Sequence, residues 1–313
     1  MKILLISPNY FNLTQSISNE LRNQGHELHL IFDRPYSRHI FFALSKKFPS
    51  LFNFFLRSYF LKKIKKKKFD LTLVITGDSL DSYVLRQIKS ISNKMTLYLW
   101  DSLKNKAYIK NKLSFYDKVY SFDSQDTKKY KLNFLPLFFQ KNISGNKKSL
   151  YDVSFIGTIH SSRLKILNDF VNEFSDKKKI YLYLYIKARW VKYYFLIFNK
   201  NLHPLITKNF FYQPLPASEY NLALKQSETV LDIHHPDQSG LTFRFMNALG
   251  MGKKIITTNF NIMEYDFYSP NNFYIYNRDS RALDNFIKSK INKKHLACIK
   301  KYEISNWIQT LIK

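Results

Sequence analysis

The segment LDIHHPDQSGLTFRFMNALGMGKKIITTN, residues 231–259, collects the residue types that hold an anion. Its apolar start reads as a strand. Pro236 has no N–H to continue a ladder, and Ser239-Gly240 suits entry into a helix. A helix over 241–249 places Leu241, Phe245, Ala248 and Leu249 on one side and Gly240, Arg244 and Asn247 on another. Gly250 stands where a helix-ending glycine would. The first N–H groups of such a helix have no partner inside it, and the positive end of its dipole lies there. Ser239, Gly240, Leu241 and Thr242 then form a cradle: Gly240 admits an anion close to the main chain, Thr242 adds a hydroxyl and Arg244 clamps two oxygens. A diphosphate suits this chemistry. The plainer alternative is a turn glycine followed by a solvated arginine. His234 and His235 are adjacent on a strand exit and point in opposite directions, with no other His or Cys at ligand spacing, so no metal is expected.

A second glycine turn, Gly157-Thr158, follows the strand VSFIG and precedes a helix carrying Arg163. A glycine here lets a phosphate lie against backbone, and Arg163 is placed to neutralise charge on a leaving diphosphate. His160 is a further candidate for sugar or phosphate contact. Arg189 and Lys254 are weaker versions of the same idea. For a general base, the carboxylates at strand exits of the first half are Asp33, Asp78 and Asp101. Each also suits a helix cap or turn. Asp101 ranks first because it follows the strand MTLYLW directly. GDSLD and DSQD space their acids unlike a D-x-D metal motif.

These residues need a scaffold that brings strand exits together. In the first half, apolar runs at 2–7, 27–32, 71–76, 95–100 and 118–122 alternate with helical patterns near 13–24, 80–92 and 103–115. The stretch 134–152, rich in Pro, Gly, Asn and Lys, reads as a linker. A second series follows at 153–157, 180–186, 209–212, 229–233, 254–258 and 272–276. Strands alternating with helices imply βαβ units and parallel sheets. The expected organisation is a Rossmann-like domain over 1–140, a second over 151–295, and a C-terminal helix over 296–313 that packs back towards the first. Leu296, Ile299, Ile304, Trp307, Ile308 and Leu311 make its apolar stripe.

The chain has 313 residues, enough for two domains, and its 7 Gly and 9 Pro argue against a fibrous or disordered chain. A single cysteine, Cys298, rules out an internal disulfide. MKILLISPNY is too short for a signal core and reads as a first strand. No uncharged apolar run reaches the roughly 18–20 residues that span a bilayer. A net charge of +27 suits nucleic acid, an anionic membrane or an anionic substrate, or follows from AT-rich coding. Two stretches, 38–70 and 187–200, mix Phe, Tyr and Leu with Lys and Arg as an interfacial helix does.

The segment GLTFRFMNALGMGKKIITTN (240–259) resembles the donor site of GT-B glycosyltransferases that build bacterial lipopolysaccharide core and capsule. SFIGTIHSSRLKIL (154–167), LYLWDSLKN (97–105), YSFDSQD (120–126) and LPLFF (135–139) are similar to other segments of that group. The resemblance implies two Rossmann-like domains with parallel sheets facing across a cleft, the C-terminal one holding a nucleotide diphosphate sugar and the N-terminal one a glycolipid or lipopolysaccharide-core acceptor. It implies metal-independent transfer of a hexosyl or deoxyhexosyl unit with no cofactor besides the nucleotide-sugar donor substrate. The catalytic residues would be Asp101, Asp33 and Arg163, and the donor contacts Gly157, Thr158, His160, Ser239, Gly240, Leu241, Thr242, Arg244 and Asn247. Many relatives carry an acid where this chain has Asn247, which changes the expected ribose contact. The location implied is cytoplasmic and peripheral on the inner membrane, against an anionic surface, with no nucleic acid partner. The competing readings are a basic nucleic-acid-binding protein and an inactive membrane scaffold; neither an RNA-recognition signature nor a zinc finger supports the former.

Overall fold

The computed structural model describes residues 1–9, 13–33, 49–140, 149–159, 161–276 and 279–313. The chain divides into two compact units, Met1–Pro136 with Ile304–Lys313, and Leu137–Glu303. The boundary falls inside the stretch read as a linker, and the return to the first unit comes at Ile304.

In the first unit, Lys2–Ser7 (β1), Glu27–Phe32 (β2), Phe69–Ile75 (β3), Ser92–Leu99 (β4), Lys118–Ser121 (β5) and Asn133–Phe134 (β6) form a parallel sheet in the order β2-β1-β3-β4-β5-β6. Ile3, Leu4, Leu5 and Ile6 of β1 and Leu71, Leu73, Val74 and Ile75 of β3 are buried. That continuous apolar reading is what a strand covered on both faces requires. Leu13–Asn23 (α1), Pro49–Ile64 (α2), Ser82–Ser90 (α3) and Ser124–Tyr130 (α4) are its helices. α1 buries Leu13, Ile17 and Leu21 at four-residue spacing, and Gly25, at φ +81°, ends it with N–H bonds back to the last turn. The helical pattern near 103–115 is realised as 3₁₀ turns over Ala107–Phe115, whose start has no side-chain cap.

In the second unit, Tyr151–Thr158 (β7), Ile180–Tyr185 (β8), Phe210–Phe211 (β9), Ser227–Asp232 (β10), Lys254–Thr257 (β11) and Phe273–Ile275 (β12) form another parallel sheet in the order β12-β11-β10-β7-β8-β9. Its helices are Ser161–Phe174 (α5), Arg189–Phe198 (α6), Pro204–Lys208 (α7), Ala217–Lys225 (α8), Phe243–Gly250 (α9) and Ser280–Lys288 (α10). Phe155, Leu167, Phe170, Leu184 and Ile256 lie in its core. Both sheets are doubly wound: the chain starts in the middle, builds to one side, then crosses to the other.

Ile304–Ile312 (α11) belongs to the first unit. The Trp307 indole N–H donates to the Pro136 carbonyl at 3.1 Å, and its ring meets Tyr98 edge-on at 4.7 Å. Ile304, Trp307, Ile308 and Leu311 are buried, as is Ile299 in the 3₁₀ turns before them; the side chain of Leu296 lies outside the described residues.

Candidate functional site

Ligands of doubly wound sheets sit beyond the carboxyl ends of the strands, where the winding changes direction. In the second unit that point lies between β7 and β10, which pair directly. β7 ends in Gly157-Thr158, and β10 ends in Asp232 and leads to His234.

Asp232 organises this edge. It closes an apolar strand, and its side chain is wholly buried. A buried carboxylate needs a cation and hydrogen bonds. Arg244 supplies both: Nε and Nη2 donate to Asp232 Oδ1 at 3.0 and 2.9 Å. Its Nη1 donates to the Ile156 carbonyl at 2.8 Å and Nη2 to the Ile233 carbonyl at 3.2 Å. The guanidinium also lies over the Phe155 ring, Cζ 4.5 Å from its centre. Arg244 is therefore an interior residue, not the solvated arginine of the plainer reading. A Cβ added to Gly157 would lie 2.4 Å from Arg244 Nη1. The space over Gly157, expected to admit a phosphate, is filled by the protein's own arginine.

The helix α9 starts later than its sequence pattern indicates. Thr242 is the cap: its Oγ1 accepts the Phe245 N–H at 3.1 Å and donates to Asp232 Oδ1 at 2.6 Å. Ser239, Gly240 and Leu241 lie in the approach to the helix, outside its first turn. Asn259, fully buried, donates from Nδ2 to the carbonyls of Ser239 and Gly240 at 2.9 and 3.2 Å and fixes that approach. At the other end the left-handed residue is Gly252, at φ +64°. Gly250 serves packing instead: a Cβ there would lie 2.5 Å from Phe139 Cδ2.

Arg163, on α5, differs from Arg244. Its Nη1 donates to the Thr158 carbonyl at 2.7 Å, and its buried Nε has no partner among the described residues. Burial, and then the neighbouring charge of Arg244, push it down to about 9, with Asp232 opposing. Two buried guanidiniums thus lie near one carboxylate, which pairs with Arg244, and among the described residues Arg163 has no carboxylate of its own. His234 joins them. Its Nδ1 lies 2.7 Å from Thr258 Oγ1, and burial holds it below the usual histidine range, Asp232 opposing and Arg163 and His235 adding to the shift. Asn247 hydrogen-bonds the Tyr220 phenol, which burial pushes upward. His160 lies outside the described residues.

The sequence signals missed here are Asp232, Tyr220, Thr258 and Asn259. Only Asp232 had a legible one, a charge inside the apolar run TVLDI. The weaker candidates have structural work: Lys254 donates to the carbonyls of Phe286, Ile287 and Ser289 and closes the end of α10. Arg189 lies over the Tyr212 ring.

The carboxylates of the first unit are not brought together. Asp101 accepts from the Ser102 N–H at 2.9 Å and from Asn105 Nδ2 at 3.1 Å, the pattern of a turn. Asp33 is fully buried after β2, its N–H donating to the Ser7 carbonyl. With β1 and β3 between β2 and β4, the exits to Asp33 and Asp101 stand about 14 Å apart. Asp78, after β3, pairs with Lys106 Nζ at 2.8 Å.

The lipopolysaccharide outer core galactosyltransferase WaaB, in its apo form, aligns over 99% of this chain and 97% of its own, with a TM-score of 0.61 and 12% identity. The fold is GT-B. A kitacinnamycin glycotransferase aligns on the same GT-B frame over 99% and 97%, at TM-score 0.54 and 10% identity. So does the UDP-GlcNAc 2-epimerase of Methanocaldococcus jannaschii in complex with UDP-GlcNAc and UDP, over 99% of both chains, at 0.53 and 14%. No protein-family model matches this GT-B chain, and no curated protein sequence does. Among the described residues, no group of three or more His, Cys, Asp or Glu is placed to hold a metal ion. None of their helices is long and apolar enough to cross a membrane.

Proposed function

We propose that this protein is a glycosyltransferase that moves a hexosyl or deoxyhexosyl unit, without a metal, from a nucleotide diphosphate sugar to a lipopolysaccharide-core or other surface-glycan acceptor at the cytoplasmic face of the inner membrane. The observation that carries the reading is a buried arginine without a carboxylate partner: Asp232 pairs with Arg244 at the winding change of the second sheet, while the buried Arg163 Nε has no partner among the described residues. A diphosphate there would supply the missing negative charge. The GT-B relatives support the class, since one is a galactosyltransferase of the lipopolysaccharide outer core and another binds UDP.

In this reading the roles divide by geometry. Arg163, whose Nε has no partner among the described residues, contacts the diphosphate and stabilises it as it leaves. Arg244 and Gly157 position the floor of the site, and the dipole of α9 adds positive potential behind Thr242. Thr158, Ser239, Gly240 and Leu241 shape its walls. Asn247, held by Tyr220, offers a neutral contact to the nucleoside where the resemblance implies an acid. Asp101 remains the first candidate base, with Asp33 second.

Calorimetry against UDP, GDP, ADP and CDP tests the site. One nucleotide binds the wild type, and Arg163→Met weakens it at least tenfold while the fold survives, because Arg163 makes a single backbone bond. No binding by any of the four defeats the reading. Binding followed by epimerisation of a free nucleotide sugar, with no glycosylated acceptor, moves the protein to the epimerase class.

A further inference from the structure

Helix α6 is inverted relative to an ordinary surface helix. Phe195 is buried, and Val191, four residues earlier, packs against the core of the second unit. Val191 lies about 20° and Phe195 about 60° beyond the edge of an arc of about 140°, at 100° per residue, that holds Trp190, Tyr193, Tyr194, Ile197 and Phe198. They are 68%, 63%, 50%, 66% and 70% exposed. Polar side chains normally occupy that face of a helix on an α/β sheet. The Tyr194 and Phe198 rings lie 4.6 Å apart, so the face is continuous.

The charge around it has one sign. From Lys177 to Ser218 the chain has no Asp or Glu, while Lys187 and Arg189 stand at the start of α6 and Lys200 follows its end. Trp and Tyr favour the boundary between headgroups and acyl chains, and flanking cations favour anionic lipid. In the other basic aromatic stretch, α2 turns Leu56, Phe60 and Ile64 inward and exposes Leu51, Phe54 and Phe55, but its Arg57 is already paired with Asp81; residues 38–48 lie outside the described ones.

We infer that the outer face of α6 docks on an anionic lipid bilayer, with its aromatic rings at the headgroup boundary and Lys187, Arg189 and Lys200 against lipid phosphates. This places the membrane contact on the second unit; it rests on the membrane contact in the proposed function and not on the transfer reaction.

Flotation of the full chain with phosphatidylcholine vesicles, alone or with about one third phosphatidylglycerol, tests it. Binding is expected with the anionic vesicles and falls as salt rises. Tryptophan emission shifts to the blue on binding, because Trp190 is exposed whereas Trp100 is half-buried and Trp307 is buried. Trp190→Ser with Phe198→Ser is expected to reduce flotation at least tenfold and leave nucleotide binding unchanged, which separates this inference from the reaction. Lys187→Gln, Arg189→Gln and Lys200→Gln together should remove the preference for anionic lipid. Failure to bind anionic vesicles, or equal flotation of the double variant, overturns the inference. So does a dimer in sedimentation that the double variant converts to monomer, since a second copy would then be the occupant.

Discussion

Gly157 and Arg244 occupy the same space: the Cβ that Gly157 lacks would sit 2.4 Å from Arg244 Nη1. The arginine has little freedom to retreat, being bound to Asp232, Ile156 and Ile233 and stacked on Phe155. Gly157→Ala is therefore expected to destabilise the second unit by about 1–3 kcal/mol, the usual range for overpacking. Urea denaturation followed by circular dichroism reads this directly. An unchanged midpoint would mean the guanidinium moves aside freely.

The ion pair itself allows a sharper test. Arg244→Met leaves a wholly buried Asp232 without its cation, at a cost of about 3–5 kcal/mol. Adding Asp232→Leu removes the stranded charge, so the double variant should be more stable than Arg244→Met alone. A double-mutant cycle with four denaturation curves gives the coupling. Additive losses would show that the two side chains do not depend on each other.

His234 predicts a pH dependence. Its folded pKa lies below the unfolded value, chiefly through burial. The neutral imidazole is the form the fold holds, so this stability is present above the unfolded value of about 6.5 and is lost as pH falls through the lower folded one. His26 and His29 shift in the same direction. Melting temperature should fall from pH 7 towards pH 5, and His234→Asn should flatten that slope without abolishing it. A slope identical to wild type would assign the effect elsewhere.

Trp307 helps tie α11 to the first unit, its indole N–H donating to the Pro136 carbonyl and its ring meeting Tyr98 edge-on. Trp307→Phe keeps an aromatic ring against Tyr98 and drops the bond to Pro136, a loss of about 0.5–1.5 kcal/mol. Trp307→Ala leaves a cavity and should cost about 3–5 kcal/mol. Hydrogen exchange across 304–312 distinguishes the two, with faster exchange confined to α11 in the milder variant.

What was legible from sequence is local. The continuous apolar runs of β1, β3, β4 and β10 identify buried parallel strands, because a strand covered on both faces has no polar side to show. The four-residue spacing of Leu13, Ile17 and Leu21 identifies α1, because a helix returns to the same face at that interval. Alternation of the two periods gives two doubly wound sheets, and the segment 240–259 that carries the resemblance follows β10, at the winding change of the second one.

What the tertiary structure decided is which polar groups meet there. Arg244 lies 12 residues from Asp232 and 88 from Ile156 in sequence. No periodicity reports those encounters, since they depend on which strands become neighbours after the crossovers. The same holds for Asn259 reaching back to Ser239 and for Thr242 displacing the start of α9. A helical wheel assigns Arg244 to a polar face; only the packing of β10 beside β7 reveals that this face is turned inward onto a buried carboxylate, which satisfies one guanidinium and leaves the other, Arg163, short of negative charge.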